Sequence, residues 1–126
     1  MKVLFSGRFD SGHLGHWTTI LRLWHEFGSV LVVVLDFPGR DEPAEYICQI
    51  FNDLAKQTGL DLSIKAMANS THFGKITKKE WDEYECSVYA SGNMEVLKHM
   101  DSLGIKIYYT DRAWDFSAHN YKRGQK

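Results

Sequence analysis

A chain of 126 residues, 44% hydrophobic and 25% charged, has the make-up of one ordinary folded domain, which excludes a disordered segment or two full-sized domains. A formal net charge of -1 carries no broad basic field, so duplex nucleic acid is excluded as the general partner and a small molecule is expected. The longest apolar run, Val30–Leu35, falls far short of the roughly twenty residues that span a bilayer, and no signal-peptide pattern is read at the start, so a soluble, cytoplasmic protein with no membrane partner is expected.

Taken in chain order, Val3-Leu4-Phe5 is a short apolar run stopping at Ser6-Gly7, as a buried strand does on entering a tight turn. Trp17, Ile20, Leu21, Trp24 and Phe27 then recur with helical spacing, predicting a first helix that starts near His16 and ends at Gly28. Val30–Leu35 is apolar throughout and rich in β-branched residues, the signature of a strand covered on both faces. After a turn-rich loop over Asp36–Asp41, the residues Ile47, Ile50, Phe51 and Leu54 mark a second helix ending near Gly59.

Leu62–Ala66 reads as the third strand and Asn69–Lys75 as a polar loop. Thr77-Lys78-Lys79-Glu80 has capping-box spacing and predicts the start of a short helix. A fourth strand, Val88-Tyr89-Ala90, stops at Ser91-Gly92-Asn93; a helix face of Val96, Leu97, Met100 and Leu103 closes at Gly104; Ile105–Tyr109 supplies the fifth strand. The alternation predicts a single domain over residues 1–126. Its fold class is α/β: a Rossmann-like, doubly wound, mainly parallel five-stranded sheet with helices on both faces. Ligands of such sheets bind beyond the carboxyl ends of the strands, where the strand order reverses.

Gly7-Arg8-Phe9-Asp10-Ser11-Gly12-His13-Leu14-Gly15-His16 falls at that edge. Gly7 and Gly12 relieve crowding in the turn, and the helix that follows presents unpaired backbone donors to an anion. His13 and His16, with Gly15 between them, are spaced to face the same phosphate oxygens, where imidazole can donate charge-assisted hydrogen bonds. Asp10 suits a helix cap, the orientation of a histidine or a water-mediated Mg2+ contact.

Gly7-Arg8-Phe9-Asp10 with His13-Leu14-Gly15-His16 resembles the first signature of the cytidylyltransferase-like nucleotidylyltransferases. Gly7-Arg8-Phe9 also resembles the opening of archaeal nicotinamide-mononucleotide adenylyltransferases, which implies a phosphate contact for Arg8. The resemblance implies that Gly7, Arg8, Phe9, Asp10 and Gly15 bind nucleotide, that His13 and His16 stabilise the α-phosphate, and that backbone at Gly92 meets the base. It implies a second signature after the fifth strand, where Arg112, Ser117 and Lys122 match, with Lys122 in a catalytic role, while Ala118 and His119 replace hydroxyl residues. It also implies a homodimer and a basic residue over the triphosphate, a place that Arg40 occupies, although loop arginines are more often merely solvated.

The expected activity is transfer of a nucleotidyl group, CMP slightly ahead of AMP, from CTP or ATP to a small phosphorylated or alcohol acceptor, with release of pyrophosphate. Mg2+ would arrive with the triphosphate. The alternatives are a nucleotide-binding module without transferase activity and, third, a metal-dependent hydrolase. Several residues have plainer readings. Lys75, Lys78 and Lys79 read as a solvated helix end, Asn93 as either an N-cap or a base contact, and Trp17, Trp24 and Trp81 as core, with Trp114 the better base stacker. Cys48 and Cys86 read as buried free thiols, and His13, His16, His72 and His119 lack the spacing of a transition-metal site.

Overall fold

The computed structural model describes residues 1–10, 13–69 and 77–110, with His13 and Leu14 described by backbone alone. Its elements run β1 (Lys2–Gly7), α1 (His13–Phe27), β2 (Ser29–Leu35), α2 (Ala44–Gln57), β3 (Ile64–Asn69), α3 (Lys78–Tyr84), β4 (Val88–Ser91), α4 (Met94–Ser102) and β5 (Ile107–Tyr109). All five strands form one parallel sheet in the order β3-β2-β1-β4-β5. The expected α/β fold class is therefore present.

Side-chain alternation along the strands builds a core on each face of the sheet. Val3, Phe5, Val30, Val32, Val34 and Ile64 point toward α1 and α2, where Trp17, Ile20, Leu23, Ile47 and Phe51 meet them. Leu4, Leu31, Val33, Leu35 and Tyr89 point the other way, against Trp81 of α3 and Val96, Leu97 and Met100 of α4. That two-sided burial explains why β2 is apolar at every position after Ser29. Each large aliphatic side chain so buried contributes about 1.5–3 kcal/mol.

Several boundaries differ from the sequence expectation. The first helix starts at His13, one turn before His16, so both histidines belong to its first turns. β3 begins at Ile64 because Leu62 lies in the preceding turn, 88% exposed, where Ser63 and Ile64 donate to the Leu60 carbonyl. The strand then continues to Asn69, since Met67, Ala68 and Asn69 still pair with Val33, Val34 and Leu35. β5 is shortened to Ile107–Tyr109.

Local signals hold elsewhere. Gly28 ends α1 with φ of 89° and donates to the Trp24 carbonyl, a conformation that glycine adopts without strain. Thr77 and Glu80 form the expected capping box. Trp17 and Trp81 are buried and Trp24 packs at the core margin, as their helix positions predict. Among the described residues no helix is long and apolar enough to cross a membrane.

Candidate functional site

The connections reverse direction between β1 and β4, which lie side by side at the centre of the sheet. β1 runs outward to β2 and β3 through α1 and α2, whereas β4 runs to β5 through α4. Loops leaving adjacent strands in opposite directions open a crevice at the carboxyl edge. Gly7-Arg8-Phe9-Asp10 borders it on one side and Ser91-Gly92-Asn93 on the other.

Arg8 is exposed at this edge, with its guanidinium carbon 5.0 Å from the centre of the Phe37 ring. Phe9 turns the opposite way. Its ring is 3% exposed and sits edge-on to Phe5, His16 and Phe51, with centroid distances of 5.4, 4.8 and 5.5 Å. The backbone accommodates this by taking a left-handed φ of 51° at Phe9, a conformation that costs a bulky residue on the order of 1–3 kcal/mol unless packing holds it. Gly7 completes the arrangement, because a Cβ there would stand 3.1 Å from the tip of the Phe9 ring. Phe9 thus offers a ligand only its backbone; its side chain is core.

His13 is the first residue of α1 and His16 lies one turn on, half-buried beside Phe9. Gly15 is buried between them, and its carbonyl accepts a hydrogen bond from Thr19 Oγ1 at 3.4 Å. On the far side of the crevice Gly92 is half-buried in the bend after β4. Ser91 Oγ accepts from the Asn93 amide, and Asn93 Oδ1 accepts from the amides of Glu95 and Val96. Asn93 is therefore the N-cap of α4.

Arg40 is placed differently from the sequence expectation. Its side chain is 4% exposed and spent on protein. Nε donates to the Glu42 carbonyl at 2.7 Å, while Nη1 donates to the carbonyls of Arg8 at 2.5 Å and Leu35 at 2.8 Å. Nη2 lies 3.5 Å from Asp10 Oδ1, both atoms being buried. Asp10 is accordingly an ion-pair partner of Arg40. The sequence reading missed this link and missed Phe37, whose ring lies 5.4 Å from the Arg40 guanidinium carbon; an aromatic residue inside an otherwise polar loop was the signal for it.

Beyond the crevice, Lys78 pairs with Asp82 at 2.9 Å on an exposed helix surface and Lys79 is exposed, as a solvated helix end requires. Burial raises the Cys48 and Cys86 thiols to about 11, which keeps both protonated and unreactive near neutrality. Among the described residues no three His, Cys, Asp or Glu side chains are grouped to hold a metal ion. Gly12, His72, Lys75, Arg112, Trp114, Ser117, Ala118, His119 and Lys122 lie outside the described residues.

Comparison with known proteins gives a likeness of fold. The chain matches the crystal structure of a protein of the universal stress protein family from Burkholderia pseudomallei with a TM-score of 0.58 and 12% identity, covering 86% of this chain and 94% of that one. No protein-family model matches, and no curated protein matches. The resemblance to the cytidylyltransferase-like nucleotidylyltransferases is thereby corrected: the matched neighbour is a universal stress protein, and no family model supports the resemblance. The physical reason is that a glycine-rich turn between a buried strand and a helix recurs wherever a parallel sheet is built, so a ten-residue signature with compatible topology marks the architecture more than the lineage.

Proposed function

We propose that this protein binds a nucleoside triphosphate across the carboxyl edge of its sheet, with the phosphates toward the loop after β1 and the start of α1, and the nucleoside toward Gly92. The observation that carries this reading is the reversal of strand order between β1 and β4, flanked by the exposed Arg8 and by the N-termini of α1 and α4. A helix N-terminus favours an anion through its unpaired amides and its partial positive charge. Arg8 adds a full charge, and Mg2+ would come with the triphosphate rather than from a protein ligand set. Thermal-shift screening against CTP, ATP and other nucleoside triphosphates with Mg2+ tests it; no stabilisation by any of them counts against it.

A second reading, nucleotidyl transfer, is favoured by one observation: His13 and His16 stand one turn apart at the opening of α1, the helix entered from the loop after β1. In that reaction an oxygen of a small phosphorylated or alcohol acceptor attacks the α-phosphorus of CTP or ATP. The bond to the bridging oxygen breaks and pyrophosphate leaves, while an alcohol acceptor gives up its proton to solvent. The two imidazoles would stabilise charge on the α-phosphate oxygens and hold the group in line, with no protein nucleophile. Binding without pyrophosphate release across a broad acceptor panel would leave a nucleotide-binding module; a folded His16→Ala protein with full pyrophosphate release would remove the transfer reading.

A further inference from the structure

We infer that Arg40 is a positioning residue: buried between the two loops that follow β1 and β2, it sets the shape of the phosphate-facing turn without itself meeting phosphate. This inference rests on the proposed nucleotide site and adds how that site is held. A solvated loop arginine would show an exposed guanidinium with few fixed partners, whereas that of Arg40 is 4% exposed. Its planar fork spans both loops, donating to the Arg8 carbonyl on one and to the Leu35 and Glu42 carbonyls on the other. The remaining nitrogen faces Asp10 across 3.5 Å. Arginine suits this task because its donors are rigidly arranged in one plane, whereas lysine offers a single point charge on a flexible stem.

The contacts fall on both sides of Phe9, the residue that takes the left-handed φ of 51°. Arg40 anchors the carbonyl before it and the carboxylate after it, while the ring itself is gripped by Phe5, His16 and Phe51. Together they hold a turn that a non-glycine residue resists. Phe37 lies under both guanidinium groups, 5.0 Å from that of Arg8 and 5.4 Å from that of Arg40. The same lock therefore bears on where the Arg8 charge is presented. Arg8 remains the side-chain cation at the crevice mouth, and Arg40 acts through it.

The test is made on the full-length chain by NMR, first without nucleotide. Amides of Arg8, Phe9, Asp10 and Arg40 should have order parameters near those of a rigid backbone, about 0.85, and Arg40→Lys should lower them below about 0.6 while the strands keep theirs. Asp10→Asn, which retains an acceptor oxygen, should preserve more of that order than Asp10→Ala. With ATP and Mg2+, the Arg40→Lys dissociation constant should rise about tenfold. Asn52→Ala removes the clamp of α2 on the Ala66 backbone and lowers the melting temperature, but should leave the constant unchanged.

The Arg40 Nε–H signal of the wild type, held by the Glu42 carbonyl, should stay in place on nucleotide addition. A large shift there would make Arg40 a direct ligand and overturn the inference. Unaltered order in Arg40→Lys, or lost order with unchanged affinity, overturns it as well. A wild-type protein that binds no triphosphate would instead overturn the nucleotide reading, with the order parameters still deciding whether Arg40 locks the turn.

Discussion

The rings of Phe9 and Phe51 meet edge to face with centroids 5.5 Å apart, so the turn that borders the crevice is pinned to α2 through the core. Truncating Phe9 empties a space lined by Phe5, His16 and Phe51 and should cost about 3–5 kcal/mol, a large share of the stability of a small domain. Phe9→Leu, which keeps most of the apolar volume, should lose less. Urea denaturation of the two variants checks the order; equal loss in both would mean that the aromatic contacts contribute little.

Tyr89 is fully buried and shares a hydrogen bond with Ser6 across the β1–β4 seam. Burial pushes its phenol up to about 12 from an ordinary 10, with the Ser6 bond acting in the opposite direction. The unfolded chain therefore releases this proton first as pH rises. The stabilisation is complete below pH 10 and is lost progressively toward pH 12. Tyr89→Phe should cost about 1–2 kcal/mol near neutrality and should flatten the fall in urea midpoint above pH 10, with the raised thiols of Cys48 and Cys86 accounting for part of what slope remains.

Those thiols should resist alkylation. Both are buried and raised to about 11, so the thiolate fraction is minute at pH 7.5 and access is poor. Mass spectrometry after iodoacetamide should find both unmodified in the native protein and both modified in urea. Rapid native labelling of either would show that its cover opens readily.

Arg8→Gln should leave folding intact, because the side chain is exposed and the Arg8 carbonyl that Arg40 holds is backbone. Loss of one charge-assisted contact to phosphate corresponds to about 1.5–3 kcal/mol, or roughly ten- to a hundredfold in affinity for a nucleoside triphosphate. Calorimetric titration of the variant beside the wild type measures it. An unchanged dissociation constant would place the phosphates elsewhere.

The fold was legible because its signals are periodic. Uninterrupted apolar residues in Val30–Leu35, the helical spacing of Trp17, Ile20 and Trp24, and the Thr77–Glu80 capping box each report a local rule that the packed structure keeps. The third strand was read early because Leu62 is apolar, yet an apolar residue in a turn carries no mark of its 88% exposure. The place of the motif in the fold was legible and the direction of its side chains less so. Phe9 and Asp10 lie in the motif that drew attention to nucleotide, but which way each points depends on Phe51 and Arg40, thirty or more residues away, and such pairings leave no local pattern. The family resemblance failed for a different reason: its residues specify a turn that many parallel sheets share.

The claim that nucleotide occupies the crevice between β1 and β4 is tested most directly by titrating the isotope-labelled wild-type protein with ATP or CTP and Mg2+ while following backbone amide shifts. The expected result is a saturable shift at Gly7, Arg8, Phe9 and Asp10, at the first turn of α1 and at Gly92 and Asn93, with the amino ends of the strands unmoved. Saturable shifts confined to another surface, or none at millimolar nucleotide, would contradict it.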